Sequence, residues 1–200
     1  MGELALRGVG AAPGITHGAA FVLGRARGRL GANVAGRDRA ARAAIAHEAL
    51  EQVAADLESI ATTLRTEGRE QEADIVETGV LMAMDPELAA RVEVLVLESG
   101  LDAADALREA TEQVSLELSH LEDPTLAMRA DDVRSVGRRA AEHVEGTSRP
   151  DGRGVIVAGT LGPADVAELA PTAQGIALAG GGVTAPSASH NSTWPWHLRA

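Results

Sequence analysis

Leu121-Glu122-Asp123-Pro124-Thr125-Leu126-Ala127-Met128-Arg129-Ala130-Asp131-Asp132-Val133-Arg134-Ser135-Val136-Gly137-Arg138-Arg139 reads as one helix with a marked start. Asp123 suits the cap position, where a side-chain oxygen accepts from free backbone N–H groups. Pro124 suits the first helical position, where no N–H is needed. Leu126, Ala130, Val133 and Gly137 then recur at helical spacing and predict one buried face. Arg129, Asp132 and Arg134 are expected outside, within reach of one another.

The same logic extends upstream. Leu50, Val53, Leu57, Ile60 and Leu64 alternate by three and four residues, a seam for another helix. Gly68 is expected to end that helix, and a second begins near Arg69. Asp85-Pro86 repeats the cap-then-proline start, and Gly100 supplies a left-handed stop. Asp102 and Asp105 open a fourth helix, with Leu107, Ala110, Val114, Leu118 and Leu121 on one face. Short connections between such helices predict an antiparallel bundle.

On either side the texture changes. The first 25 or so residues are Gly-rich, with a strand-like run at Ala19-Ala20-Phe21-Val22-Leu23. Gly146 to Gly154 is polar and full of breakers, which predicts a linker. Strand-like runs return at Gly154-Val155-Ile156-Val157-Ala158 and Gly175-Ile176-Ala177-Leu178-Ala179, separated by a helical pattern. The expected fold is a discontinuous α/β domain over 1–30 and 147–200, with an all-α bundle over 31–146 inserted in it.

Bulk properties narrow the function. Aromatics are confined to Phe21, Trp194 and Trp196, so the core is expected from Ala, Leu, Val and Ile. A net charge of −11 argues against nucleic acid, whose phosphates need a basic face, and suits a basic protein partner. Without cysteine, disulfide and thiolate chemistry are excluded. No apolar run is long enough to span a bilayer and no signal peptide is read, so the cytoplasm is expected. No histidine–carboxylate grouping has metal-ligand spacing, so no metal site is expected.

The opening stretch resembles the "L-D-D-x-L-x-x-R-A-x-D-V-R-D-I-G-x-R" segment of bacterial phosphoenolpyruvate-protein phosphotransferases, the Enzyme I family of the sugar phosphotransferase system. Three further segments are similar in the same order. Gly8 to Ala20 resembles the family's "G-I-x-A-S-P-G-I-A-x-G-x-A" start. Glu77 to Leu88 resembles "E-x-H-x-x-L-L-x-D-P-x-L", and Val155 to Leu169 resembles "V-I-L-V-A-x-D-L-T-P-S-D-T-A-x-L".

The resemblance implies a swivelling α/β phosphohistidine domain and an inserted helical domain that grips the small carrier HPr. It implies phosphoryl transfer from phosphoenolpyruvate to HPr through a histidine. The family's magnesium-dependent barrel, which binds phosphoenolpyruvate and makes the homodimer, is expected to be missing from this chain. The expectation is therefore a fragment that exchanges phosphate with HPr at most.

By position, the family's HPr contacts fall on Glu70, Glu77, Gly79, Leu81, Met82, Asp85, Glu87, Leu88, Leu126 and Arg129. Leu81, Met82 and Leu88 would form an apolar centre and the acids a rim. Read from residues alone, the same set is bundle core with a solvated acidic face.

Histidine suits phosphoryl transfer because its neutral ring offers a lone pair near neutral pH. The resemblance places a phosphate loop at Gly181, Gly182 and Thr184, yet the family's histidine falls on Pro186 when no gap is allowed. A four-residue insertion would bring His190 to that place, so His190 is the catalytic candidate. Gly162 stands where the family has a threonine near the histidine. After Thr184 the pattern is lost, and a shifted reading frame or truncated copy is expected. Among the other histidines, His17 falls where the resemblance implies no role, His47 and His120 are expected on helices, and His143 at a helix C-terminus, where it complements the dipole. Two alternatives stand beside the phosphotransferase: a non-catalytic HPr-binding module or degenerate paralogue, and a helical interaction protein unrelated to phosphate. The pyruvate phosphate dikinase family shares the swivelling domain but lacks a helical insert, and the 36–145 segment speaks against it.

Overall fold

The computed structural model describes residues 10, 14–23, 38–123, 125–126, 129–147, 153–169 and 172–179. It is mostly helical. Strand β1 spans Ala20–Val22 and is followed by helices α1 (Arg39–Thr66), α2 (Glu70–Ala83), α3 (Pro86–Leu97), α4 (Ala103–Ser119) and α5 (Ala130–Glu145). Strand β2 (Gly154–Ala158), helix α6 (Pro163–Leu169) and strand β3 (Ala173–Leu178) complete the order.

Local chemistry sets the helix ends. Asp85 accepts from the Glu87 N–H at 2.8 Å, with Pro86 opening α3. Asp102 accepts from the Asp105 N–H at 2.9 Å and starts α4. Gly68 and Gly100 follow α1 and α3 with φ of 76° and 73°. The expected stops are therefore where the left-handed backbone occurs.

One start differs. Asp123 accepts from the Thr125 N–H at 2.8 Å, so its capping signal is used locally. Arg129 nevertheless forms a turn, bonding back to the Leu126 carbonyl at 3.0 Å, and the helix proper begins at Ala130. Two features fix that point. The Ser115 hydroxyl on α4 donates to the Ala130 carbonyl at 2.8 Å. Asp131 and Asp132 occupy the first turn, where carboxylates complement the helix dipole. Leu126, expected on the buried face, is instead 43% exposed.

The bundle core is aliphatic, as the composition requires. Leu50, Val53, Leu57 and Leu64 on α1 meet Val76 and Val80 on α2, Val92 and Val96 on α3, and Leu107 on α4. Ile60 and Val114 are only partly buried, and Leu121 lies exposed beyond the end of α4. The α4–α5 pair packs most closely at Gly137. A Cβ there would lie 1.9 Å from the Thr111 hydroxyl oxygen, so no side chain fits.

A second, smaller core gathers Leu23, Ile156, Ala158, Leu161 and Leu169 around the three-stranded sheet. Strand order is β1-β2-β3 and both pairings are parallel. Phe21 registers with Ile156, and Ile156 with Ile176. The five helices α1 to α5 thus lie in sequence between two neighbouring strands of one sheet. β3 starts at Ala173, two residues earlier than its apolar run suggests. The runs Gly154–Ala158 and Ala19–Leu23 coincide with β2 and, less one residue at each end, with β1.

Candidate functional site

The bundle exposes apolar side chains at one end. Leu81, near the end of α2, is 73% exposed, and Met84, just after it, is 64% exposed. Their helix faces inward through Ala73, Val76, Val80 and Ala83, which repeat by three and four. Leu81 follows a buried position and so points away from the core.

Arg91 ties this end together. Its guanidinium reaches Glu87 at 2.9 Å and Glu117 at 2.6 Å, joining the start of α3 to the end of α4. On the other side of Leu81, Arg65 reaches Glu77 at 2.5 Å and Asp74 at 3.2 Å. Hydrogen bonding to these arginines holds the Glu77 and Glu117 carboxyls below the usual carboxylate range. Glu77 lies one helical turn before Leu81, and the exposed Asp85 and Glu87 follow Met84 directly, so carboxylates flank the apolar pair along the chain.

The positions carried over from the family resemblance do not all share this surface. Glu70, Glu77, Leu81, Asp85, Glu87 and Leu126 are exposed, and Arg129 is half-exposed. Met82 is partly buried and packs on the bundle core. Gly79 faces α1, where a Cβ would lie 3.1 Å from the Leu57 side chain. Leu88 is a correction: at 4% exposure it belongs to the core, because it starts the four-residue repeat Leu88, Val92, Val96 that α3 buries. Met84 is the exposed apolar residue that the positional transfer missed.

Gly181, Gly182, Thr184, Pro186 and His190 lie outside the described residues. Among the described histidines, His17 is exposed, His47 pairs with Glu51 at 3.6 Å, and His120 Nδ1 lies 2.6 Å from the Leu116 carbonyl. His143 Nε2 lies 2.8 Å from Asp56 across α5 and α1. Among the described residues no three His, Asp or Glu side chains gather as metal ligands, and no helix is long and apolar enough to cross a membrane.

A buried polar joint connects the two cores, and sequence reading missed it. Asp165 on α6 is fully buried. It accepts from the Ser135 hydroxyl at 2.6 Å, from Arg139 Nε at 3.0 Å and from the Gly162 N–H at 2.9 Å, and it also pairs with Arg138. Gly162 packs so tightly that a Cβ would lie 2.9 Å from both Cβ and Oγ of Ser135. That contact gives a physical reason for glycine at a place where the resemblance has threonine.

Asp132, expected outside, is instead largely buried beside this joint, with its side chain 17% exposed and 3.0 Å from Arg129. Burial pushes its carboxyl above the ordinary 3.8, against the downward pull of the Arg129 hydrogen bond. A raised folded-state pKa means that the folded protein holds this proton longer than the unfolded chain. The associated stability is complete below 3.8 and is lost as pH rises through the folded value. Asp132→Asn is therefore expected to gain melting temperature relative to the parent between pH 3.8 and 7. Thermal melts at both ends of that window check it, and a constant difference would remove the buried-carboxyl account.

Comparison with known proteins follows the same outline. The family described as PEP-utilising enzyme, N-terminal, matches residues 7–129. The multiphosphoryl transfer protein of Xanthomonas campestris pv. campestris is 29% identical over 192 residues, covering 92% of this chain and 23% of its own length. The phosphoenolpyruvate-protein phosphotransferase of Staphylococcus aureus is 27% identical over 189 residues, 92% of this chain and 33% of its own. The chain thus spans a quarter to a third of these curated relatives. An NMR solution structure of an Enzyme I protein superposes with a TM-score of 0.62 at 28% identity, over 89% of this chain and 75% of that one. The N-terminal domain of Enzyme 1 - Nitrogen shares the fold, with a TM-score of 0.65 at 21% identity over the same shares.

Proposed function

Because the chain belongs to the PEP-utilising enzyme N-terminal family, we propose that it is the carrier-docking part of an Enzyme I-like phosphotransferase, with HPr as its partner. In this reading residues 31–146 are the HPr-binding bundle. Residues 1–30 and 147–200 form the swivelling phosphohistidine domain that the bundle interrupts. The chain works in the cytoplasm, as a component of the sugar phosphotransferase system.

The observation that carries the reading is the exposed pair Leu81 and Met84 at the acidic end of the bundle. A basic carrier with an apolar spot beside its own histidine fits that arrangement. The apolar centre would exclude water while the carboxylate rim steers the approach. Leu126 and Arg129 extend the surface, whereas Leu88 supports it from beneath.

Phosphate on this chain would sit at the loop of Gly181, Gly182 and Thr184, with His190 as acceptor. There the imidazole nitrogen would attack the phosphorus of phosphorylated HPr, and HPr's histidine would leave with its electron pair. Pro186 at the ungapped position favours the second reading, in which the chain binds HPr without accepting phosphate.

One experiment tests both. HPr is titrated into the isotope-labelled chain, with amide shifts expected around Leu81, Met84 and Arg129 and weakening as salt screens the rim. Absence of any shift there would remove HPr as the partner. Repeating the titration with phosphorylated HPr then looks for acid-labile, base-stable phosphate on the chain. Label at His190 selects transfer, and unlabelled but bound chain selects the docking module.

A further inference from the structure

We propose that Arg65 is an internal counter-ion of the docking face. It occupies carboxylates that a basic partner would otherwise meet free, and so sets the affinity and the salt dependence of that contact. This rests on the docking reading given above and adds to it a residue that touches the acids and not the apolar centre.

The face is one stripe of α2. Glu70, Asp74, Glu77 and Leu81 follow one another by four, three and four residues, so they stand in a row along the helix. Met84 continues the spacing just past the helix end. The inward stripe is Ala73, Val76, Val80 and Ala83. A partner that covers Leu81 and extends along α2 therefore meets three carboxylates in succession. Their side chains are 69%, 71% and 48% exposed, in chain order, and stand open to it.

Arg65, in the last turn of α1, lies across that row. Its guanidinium is 2.5 Å from Glu77, 3.2 Å from Asp74 and 3.7 Å from Glu70. One cation is shared among three anions, so the row stays acidic but loses part of its charge. Glu87, beyond Met84, is held in the same way by Arg91 at 2.9 Å. Each glutamate of the docking set thus has an arginine of its own chain as a partner before any other protein arrives.

Arg65 acts on docking in two opposed ways. It gathers carboxylates that would repel one another, which holds them in place for a partner. It also cancels charge that would attract a cation. Like charges one turn apart on an exposed helix repel only weakly, and exposed ion pairs impose little order. A basic partner can supply the gathering with its own cations. Each of those cations also feels the guanidinium charge within a screening length of about 8 Å at physiological salt. Repulsion therefore grows with every cation the partner brings, while the benefit of gathering does not. Attenuation is the larger effect.

Calorimetric titration of HPr into the parent chain, Arg65→Gln, Arg65→Lys and Asp74→Asn, at low and high salt, tests this. Arg65→Gln is expected to bind about threefold more tightly at low salt and to lose affinity more steeply as salt rises. Arg65→Lys keeps the charge and is expected to match the parent. Asp74→Asn removes a carboxylate and is expected to weaken binding by about the same factor. Opposite signs from two exposed substitutions do not arise from a loss of folding. Arg65→Gln binding no more tightly than the parent would overturn the counter-ion role, and so would Arg65→Lys as tight as Arg65→Gln. Tetralysine is the second probe, followed through the amide shifts of residues 70 to 77 in the isotope-labelled chain. Those shifts are expected to saturate at lower concentration in Arg65→Gln than in the parent, and identical titrations would overturn the role. A parent chain that ignores HPr while the tetralysine difference persists removes HPr as the partner and still supports the counter-ion.

Discussion

Gly137→Val is expected to lower the unfolding free energy of the bundle by about 3 kcal/mol, the upper part of the range for overpacking a tight core. The geometry leaves little choice. A Cβ at 137 would stand 1.9 Å from Thr111 Oγ1 and 2.7 Å from both Cβ and Cγ2 of the same residue. Thr111 cannot turn aside freely, because its hydroxyl donates to the Leu107 carbonyl at 2.8 Å within α4. Either α4 and α5 separate or Thr111 gives up its rotamer. Glycine inside a helix ordinarily costs about 1 kcal/mol relative to alanine, so an uncrowded site would gain from the change. The two effects have opposite signs, and the depth of overlap decides between them. Thr111→Ala removes Oγ1 and Cγ2 and should recover part of the loss in the double variant, a positive coupling in a mutant cycle. Urea unfolding followed by circular dichroism measures all four proteins. A Gly137→Val protein as stable as its parent would show that the two helices do not approach as described.

With HPr docked as proposed, Leu81→Arg is expected to weaken that binding by about 2 kcal/mol or more, on the order of 30-fold, without a comparable change in folding stability. Leu81 makes little contribution to the core, being 73% exposed, so its loss is felt only when a partner covers it. Arginine also places a positive charge in the middle of an acidic rim and meets a basic carrier with the wrong sign. Leu88 provides the contrast. Its truncation to alanine should register in the melting curve first, because it is 4% exposed. Titration calorimetry with HPr, paired with melts of the same proteins, separates the two. Equal affinity for Leu81→Arg and parent would place the docking surface elsewhere.

Leu81 and Leu88 stand in the same short segment, yet one is exposed and the other buried. Leu88, Val92 and Val96 repeat by four and lie buried in α3. Periodicity therefore already contained the answer, and transferring contacts by position overrode it. Helix ends were legible wherever one residue carries the whole signal, as Asp85-Pro86, Asp102 and Gly100 do. Asp123 carried such a signal too, and Thr125 and Leu126 after it are helical, but Arg129 forms a turn and α5 starts afresh at Ala130. Asp165 left only a helix-start trace, two residues after Pro163 and accepting the Gly162 N–H. Its partners Ser135, Arg138 and Arg139 lie on a helix far earlier in the chain, and no spacing rule links a buried carboxylate to them. Charged residues in a Pro-containing segment read as solvated surface until the fold closes over them.

The parallel pairing of β1 with β2 has a consequence for synthesis on the ribosome. Ala20–Val22 emerges first but has no neighbour until Gly154–Ala158 has been made. Closing a loop of that length is slow for an unstructured chain. Once α1 to α5 have condensed, however, their bundle shortens the gap that β1 must cross. Within this stretch β1 is therefore made well before the strand that pairs it, and until then it is an unsatisfied edge open to chaperones or to a neighbouring polypeptide.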